Sequence, residues 1–89
     1  MWYTATCKFM EGLTTRGAFV TFRSRATTRR GLLRAMARAV VDSVGTDCFE
    51  VNRKVLRSPK NDGTGKVFEL TSSECHEVWR MGHELMMGA

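Results

Sequence analysis

At Thr27-Thr28 the spacing of the apolar residues changes period. Before that point WYTATCKFM alternates, with Tyr3, Ala5, Cys7 and Phe9 on one side and Trp2, Thr4, Thr6, Lys8 and Met10 on the other. AFVTFRSR alternates as well, with Ala18, Val20 and Phe22 against Phe19, Thr21, Arg23 and Arg25. A period of two is that of a strand. The EGLTTRG segment between them, with Gly12 and Gly17, reads as a loop of moderate length, so the two strands form a hairpin. After Thr27-Thr28 the residues Leu32, Leu33, Met36, Ala39, Val40 and Val44 recur at spacings of three and four, which predicts an amphipathic helix from Arg29 to about Ser43. Thr27 or Thr28 caps it, Gly31 weakens it by about 1 kcal/mol relative to Ala, and Gly45 ends it.

The second half repeats the strand and helix signals. TDCFEVNRKVLR predicts a third strand with Phe49, Val51 and Val55 inward; Arg53 interrupts that face, so a bulge or strand end is expected near Asn52. SPKNDGTGK holds the only proline and Asp62-Gly63, and is expected to be an exposed hairpin connection into a short fourth strand, VFEL. Thr71-Ser-Ser-Glu74 is a capping box, followed by Cys75, Val78, Trp79, Gly82, Leu85 and Met86 on one helical face. The expected fold is α+β: ββαββα, a single antiparallel sheet with two amphipathic helices packed mainly on one face. The 89 residues make one compact domain, 1–89, with a single small core and a net stability of about 5 kcal/mol.

Several chemistries are expected to be absent. No apolar run approaches the roughly 20 residues that cross a bilayer, and MWYTATCKFME has neither a charged leader nor an apolar core, so a soluble, cytoplasmic protein without membrane contact is expected. Cys7, Cys48 and Cys75 are odd in number and distant in sequence, and read as reduced core thiols. Cys75, His76 and His83 share the last helix without the CxxC or HxxxH spacing of a zinc site. GTGK at 63–66 lacks the phosphate-loop spacing, and no nucleophile with a base or carboxylate pair can be assembled. Neither catalysis nor a cofactor is expected. Met81, Met86 and Met87 fit core filling better than an adaptable binding surface.

Charge carries what functional signal there is. Residues 1–44 hold eight basic side chains against Glu11 and Asp42, whereas residues 45–89 are close to neutral. Arg23, Arg25, Arg29, Arg30, Arg34 and Arg38 lie between Phe22 and Arg38, and arginine outnumbers lysine ten to four. A planar guanidinium suits bidentate recognition of phosphate or carboxylate, although a GC-rich coding sequence produces the same bias. Arg30, Arg34 and Arg38 follow at intervals of four and stack along one helix face as a basic ridge. Each adjacent pair costs roughly 0.2–0.5 kcal/mol, and Arg29 and Arg30 sit where the helix dipole disfavours cations. Local departures of this kind are expected where a surface has another duty, and the bland alternative is a solvated face. Lys8, Arg23 and Arg25 share a sheet face with Trp2, Phe19 and Met10. That face either stacks bases and neutralises phosphates or lies under a helix with its arginines at the rim. The first arrangement is expected, with both helices on the Ala5/Cys7/Phe9/Val20/Phe22 face.

The succession of hairpin, helix and strand in AFVTFRSRATTRRGLLRAMARAV and CFEVNRKVL, about residues 15–57, resembles small bacteriophage-encoded host-takeover proteins. The similarity is to podophage inhibitors of bacterial RNA polymerase and, more loosely, to compact anti-CRISPR proteins. It implies a non-enzymatic module that occludes a host protein or nucleoprotein complex. Those polymerase inhibitors carry an acidic helix where this chain has Arg30, Arg34 and Arg38, which favours contact with nucleic acid or an acidic groove. The binding surface expected is therefore Arg30, Arg34 and Arg38 with Arg29, Arg23, Arg25 and Lys8. The alternatives are direct binding to RNA or DNA through the phosphate backbone, and an assembly protein, as a monomer or as a homodimer joined at an open sheet edge.

Overall fold

The computed structural model describes residues 1–58 and 65–87. It is an α+β domain with one antiparallel sheet and two helices: β1 Trp2–Glu11, β2 Thr14–Arg23, α1 Arg29–Val44, β3 Cys48–Val51, β4 Lys54–Ser58, β5 Lys66–Glu69 and α2 Ser72–Met86. A 3₁₀ turn, Gly45–Asp47, joins α1 to β3. The sheet order is β2-β1-β4-β5, with β3 also paired to β1. The expected third strand is thus two strands in one row. Asn52 breaks it: its amide still donates to the Thr6 carbonyl at 2.8 Å, while its side chain accepts from Lys54 N–H at 2.9 Å.

Two further expectations are corrected at the sheet. The loop between β1 and β2 is only Gly12-Leu13, because Gly12 takes the positive φ of +63° that a two-residue hairpin turn needs, and both strands run to it. Phe49 is 45% exposed instead of inward. The register of β3 on β1 slips between Lys8 and Phe9, pairing Phe9 with Cys48 and Lys8 with Glu50; Phe49 is the surplus residue, and Cys48 and Val51 fill the core. The segment expected to form the hairpin connection falls largely on 59–64, outside the described residues, although β4 and β5 on either side pair antiparallel.

Tyr3, Ala5, Cys7, Val20, Phe22, Val51 and Val55 are buried beneath both helices, whose Leu32, Leu33, Met36, Ala37, Val40, Val78 and Met81 complete one core. α1 packs over β2 and β1, and α2 packs over β3. The helices meet where Gly82 approaches α1, since a Cβ there would stand 3.0 Å from Val41 Cγ2. The expected apolar face of α2 needs one exchange, because Met86 is exposed and Met81 is buried. Both caps form: Thr28 accepts from Gly31 N–H at 3.1 Å, and Thr71 and Glu74 satisfy each other's backbone amides at 3.1 and 2.9 Å. No helix of the described residues is long and apolar enough to cross a membrane.

Candidate binding surface

Arg30, Arg34 and Arg38 stand exposed along the outer side of α1, because Leu33, Met36, Ala37 and Val40 take the opposite side into the core. Arg30 and Arg34 line one wall of a cleft of about 310 Å³ between the helices. Its other wall and floor are Arg80, Met81, Glu84 and Leu85 of α2. Glu84 is already engaged by Arg80 at 2.8 Å, and Glu77 lies 3.8 Å from the same guanidinium. Arg30 and Arg34 have no carboxylate partner among the described residues. Arg38 lies 4.0 Å from Asp42, one turn further along, at the limit of an ion pair. The cleft therefore offers two uncompensated guanidinium groups beside an apolar floor, an arrangement that receives carboxylate or phosphate oxygens.

Arg29 does not belong to this surface. Its guanidinium grips both carboxylate oxygens of Glu74, one of them at 2.8 Å, and donates to the Glu69 carbonyl at 2.7 Å. It also lies over the Phe68 ring at 4.2 Å. Expected as an unfavourable charge at the positive end of α1, it is instead a buckle that ties α1 to β5 and to the start of α2. The same hydrogen bonds, with those of the Thr71 backbone, hold the Glu74 carboxyl down at about 2.

Lys8 and Arg23 lie on the sheet face that carries no helix. Cross-strand partners share a face, and Arg23 is opposite Trp2 while Lys8 is opposite Glu50. Lys8 and Glu50 pair at 3.3 Å, and Glu69 adds a second acid on this face, so the face is less cationic than its basic residues alone suggest. Arg25 is exposed beyond the end of β2. Lys8 and Arg23 thus face away from the α1 ridge, and the expected residues form no single continuous patch.

One basic pair is not visible in the sequence. Arg57 and Lys66 are directly opposed between β4 and β5, both exposed and without an acidic partner among the described residues. Like charges in such positions are destabilising. Only the β4–β5 register reveals them.

Of the remaining groups with reactive chemistry, Cys7 and Cys48 are buried, Cys75 is half-buried and His76 is exposed. Trp79 donates its indole N–H to the Cys48 carbonyl at 2.9 Å and is flanked by His76 and His83 at ring separations of 5.8 and 4.2 Å. Beside it, Phe49, Glu50, Val51, Cys75 and His76 line a second cleft of about 310 Å³. Burial raises all three thiols; Cys48, also next to Cys7, is pushed up to about 12. Among the described residues no three His, Cys, Asp or Glu side chains gather as a metal site. Comparison with protein families, with characterised proteins and with solved structures finds no match for this chain.

Proposed function

We propose that the chain is a non-enzymatic binding module of bacteriophage or mobile-element type. It sets the α1 ridge against an acidic surface of a host protein or nucleoprotein complex and inhibits it by occlusion in the host cytoplasm. The observation that carries this reading is a contrast among arginines. Arg16, Arg29, Arg38, Arg53 and Arg80 each lie within 4.0 Å of a carboxylate of the chain, whereas Arg30 and Arg34 border a cleft whose lining carboxylate, Glu84, is engaged by Arg80. With Glu84 held by Arg80, these two remain available to a ligand at the cleft. Raised thiol pKa values are consistent with a protein that does not use cysteine as a nucleophile.

The test is affinity capture with tagged wild type and with a variant carrying Arg30→Glu, Arg34→Glu and Arg38→Glu. A partner retained in stoichiometric amount by the first and lost by the second, at unchanged circular dichroism, is the expected result. Equal capture by both proteins would show the ridge to be a solvated face.

Arg57 opposite Lys66 favours a second reading, direct contact with nucleic acid, since phosphates relieve such a pair. Titration of a duplex and a single strand at two salt concentrations decides it: phosphate neutralisation gives an affinity that falls steeply as salt rises. Absence of binding at low salt removes it.

A further inference from the structure

The two edges of the sheet are built differently. β5 is four residues long, starts at Lys66 and ends at Glu69, which is the usual way of discouraging further strand addition. β2 is ten residues long, and its segment GAFVTF, residues 17–22, has no charge, no proline and no bulge against β1. Its free edge is also identifiable residue by residue. The two-residue turn makes Glu11 and Thr14 the closing hydrogen-bonded pair, so alternate β2 residues from Thr14 onward bond to β1. Thr15, Gly17, Phe19, Thr21 and Arg23 direct their N–H and C=O groups outward. The donation from Asn52 to the Thr6 carbonyl agrees with this alternation, since Thr6 pairs with Phe19 and turns its own groups toward β3 and β4. At the centre of the edge, Phe19 is 81% exposed.

We propose that β2 pairs antiparallel with β2 of a second copy of this chain, about a two-fold axis at Phe19. This register satisfies every outward group, with about ten hydrogen bonds between the strands. It sets the two Phe19 rings against each other, Thr21 against Gly17, and Arg23 against Thr15 of the second copy. On the opposite face Arg16 meets Phe22 and Ala18 meets Val20, so no like charges are opposed. The strand is self-complementary. The helix layer fits the same axis. Arg30, Arg34 and Val41 lie toward α2, so at roughly 100° per residue Ala35 and Ala39 fall on the flank of α1 toward the β2 edge. Their small side chains permit α1 of each copy to approach the other, so the contact involves the helix layer as well as the sheet. A two-fold axis normal to a continuous sheet also leaves both arginine ridges on one side of the dimer.

Sedimentation equilibrium over a wide concentration range tests this, with two variants. Phe19→Lys places two ammonium groups across the axis. Thr21→Pro removes an N–H that points outward and leaves the β1 ladder intact. The wild type is expected to reach twice the 10.1 kDa mass of one chain, and both variants to return to 10.1 kDa with their circular dichroism retained. Phe19→Lys alone decides between monomer and dimer if the proline variant fails to fold, because its side chain replaces one that is already exposed. A wild type that stays at 10.1 kDa at the highest attainable concentration overturns the proposal. So does a dimer that Phe19→Lys leaves intact.

Discussion

Arg29 and Arg30 are neighbours with different tasks, and the difference lies in what each side chain reaches. Arg29 finds Glu74 across 45 positions of sequence. The pair makes stability depend on acid in a definite direction. A free glutamate titrates near 4.5 and Glu74 in the fold near 2, so between these values the unfolded chain binds more protons than the folded one. The contribution is whole above about pH 4.5 and lost as the pH falls to about 2. Urea unfolding of wild type and Arg29→Met should therefore differ more at pH 7 than at pH 2; a difference that ignores pH would place its origin in the Phe68 stacking and the bond to the Glu69 carbonyl. At the same scale, burial orders the thiols. Cys75 is half-buried, whereas Cys7 and Cys48 are buried, with Cys48 held to about 12. Alkylation of the native protein at pH 8, followed by mass spectrometry, should modify Cys75 first and the other two only on unfolding.

Among the elements, those specified by near neighbours are legible in the sequence and those specified across the sheet are not. The capping box of α2 spans four residues, and Thr71→Ala should cost about 1 kcal/mol in chemical denaturation. The alternation in β1 and β2 and the break at Asn52 are likewise local. Alternation alone misplaces Phe49, because its orientation follows from a register slip on β1, some forty residues away. Arg29 is misplaced for a related reason: helix-dipole reasoning sees the end of α1 but not the carboxylate that α2 brings to it. The Arg57–Lys66 pair needs the β4–β5 register, which the intervening segment conceals. That pairing has its own test in Gly65, where a Cβ would overlap the Arg57 carbonyl, so the backbone must separate to admit one. Gly65→Ala should lower the melting temperature by several degrees, at roughly 4–8 °C per kcal/mol for a domain of this size. An unchanged melting temperature would mean that β5 contributes little to the fold.

For the molecule as a whole, the net charge of +5 and the ridge set stability and binding against each other. Arg30, Arg34 and Arg38 repel at two successive intervals of four, and among the described residues only Arg38 comes within ion-pair reach of a carboxylate, that of Asp42 at 4.0 Å. Arg34→Gln relieves both repulsions, worth together about 0.4–1 kcal/mol at low ionic strength, and so should raise the melting temperature by a few degrees. At about 1 M salt the screening length falls to roughly 3 Å and the two proteins should melt together. A solvated face and a binding ridge both predict that convergence. They part over the partner: if the ridge binds, Arg34→Gln must weaken capture in the same low-salt buffer in which it stabilises the chain. A variant that is more stable and binds equally well would show that the repulsion serves no interaction at this surface. A variant that is more stable and binds less assigns the cost of the ridge to its use.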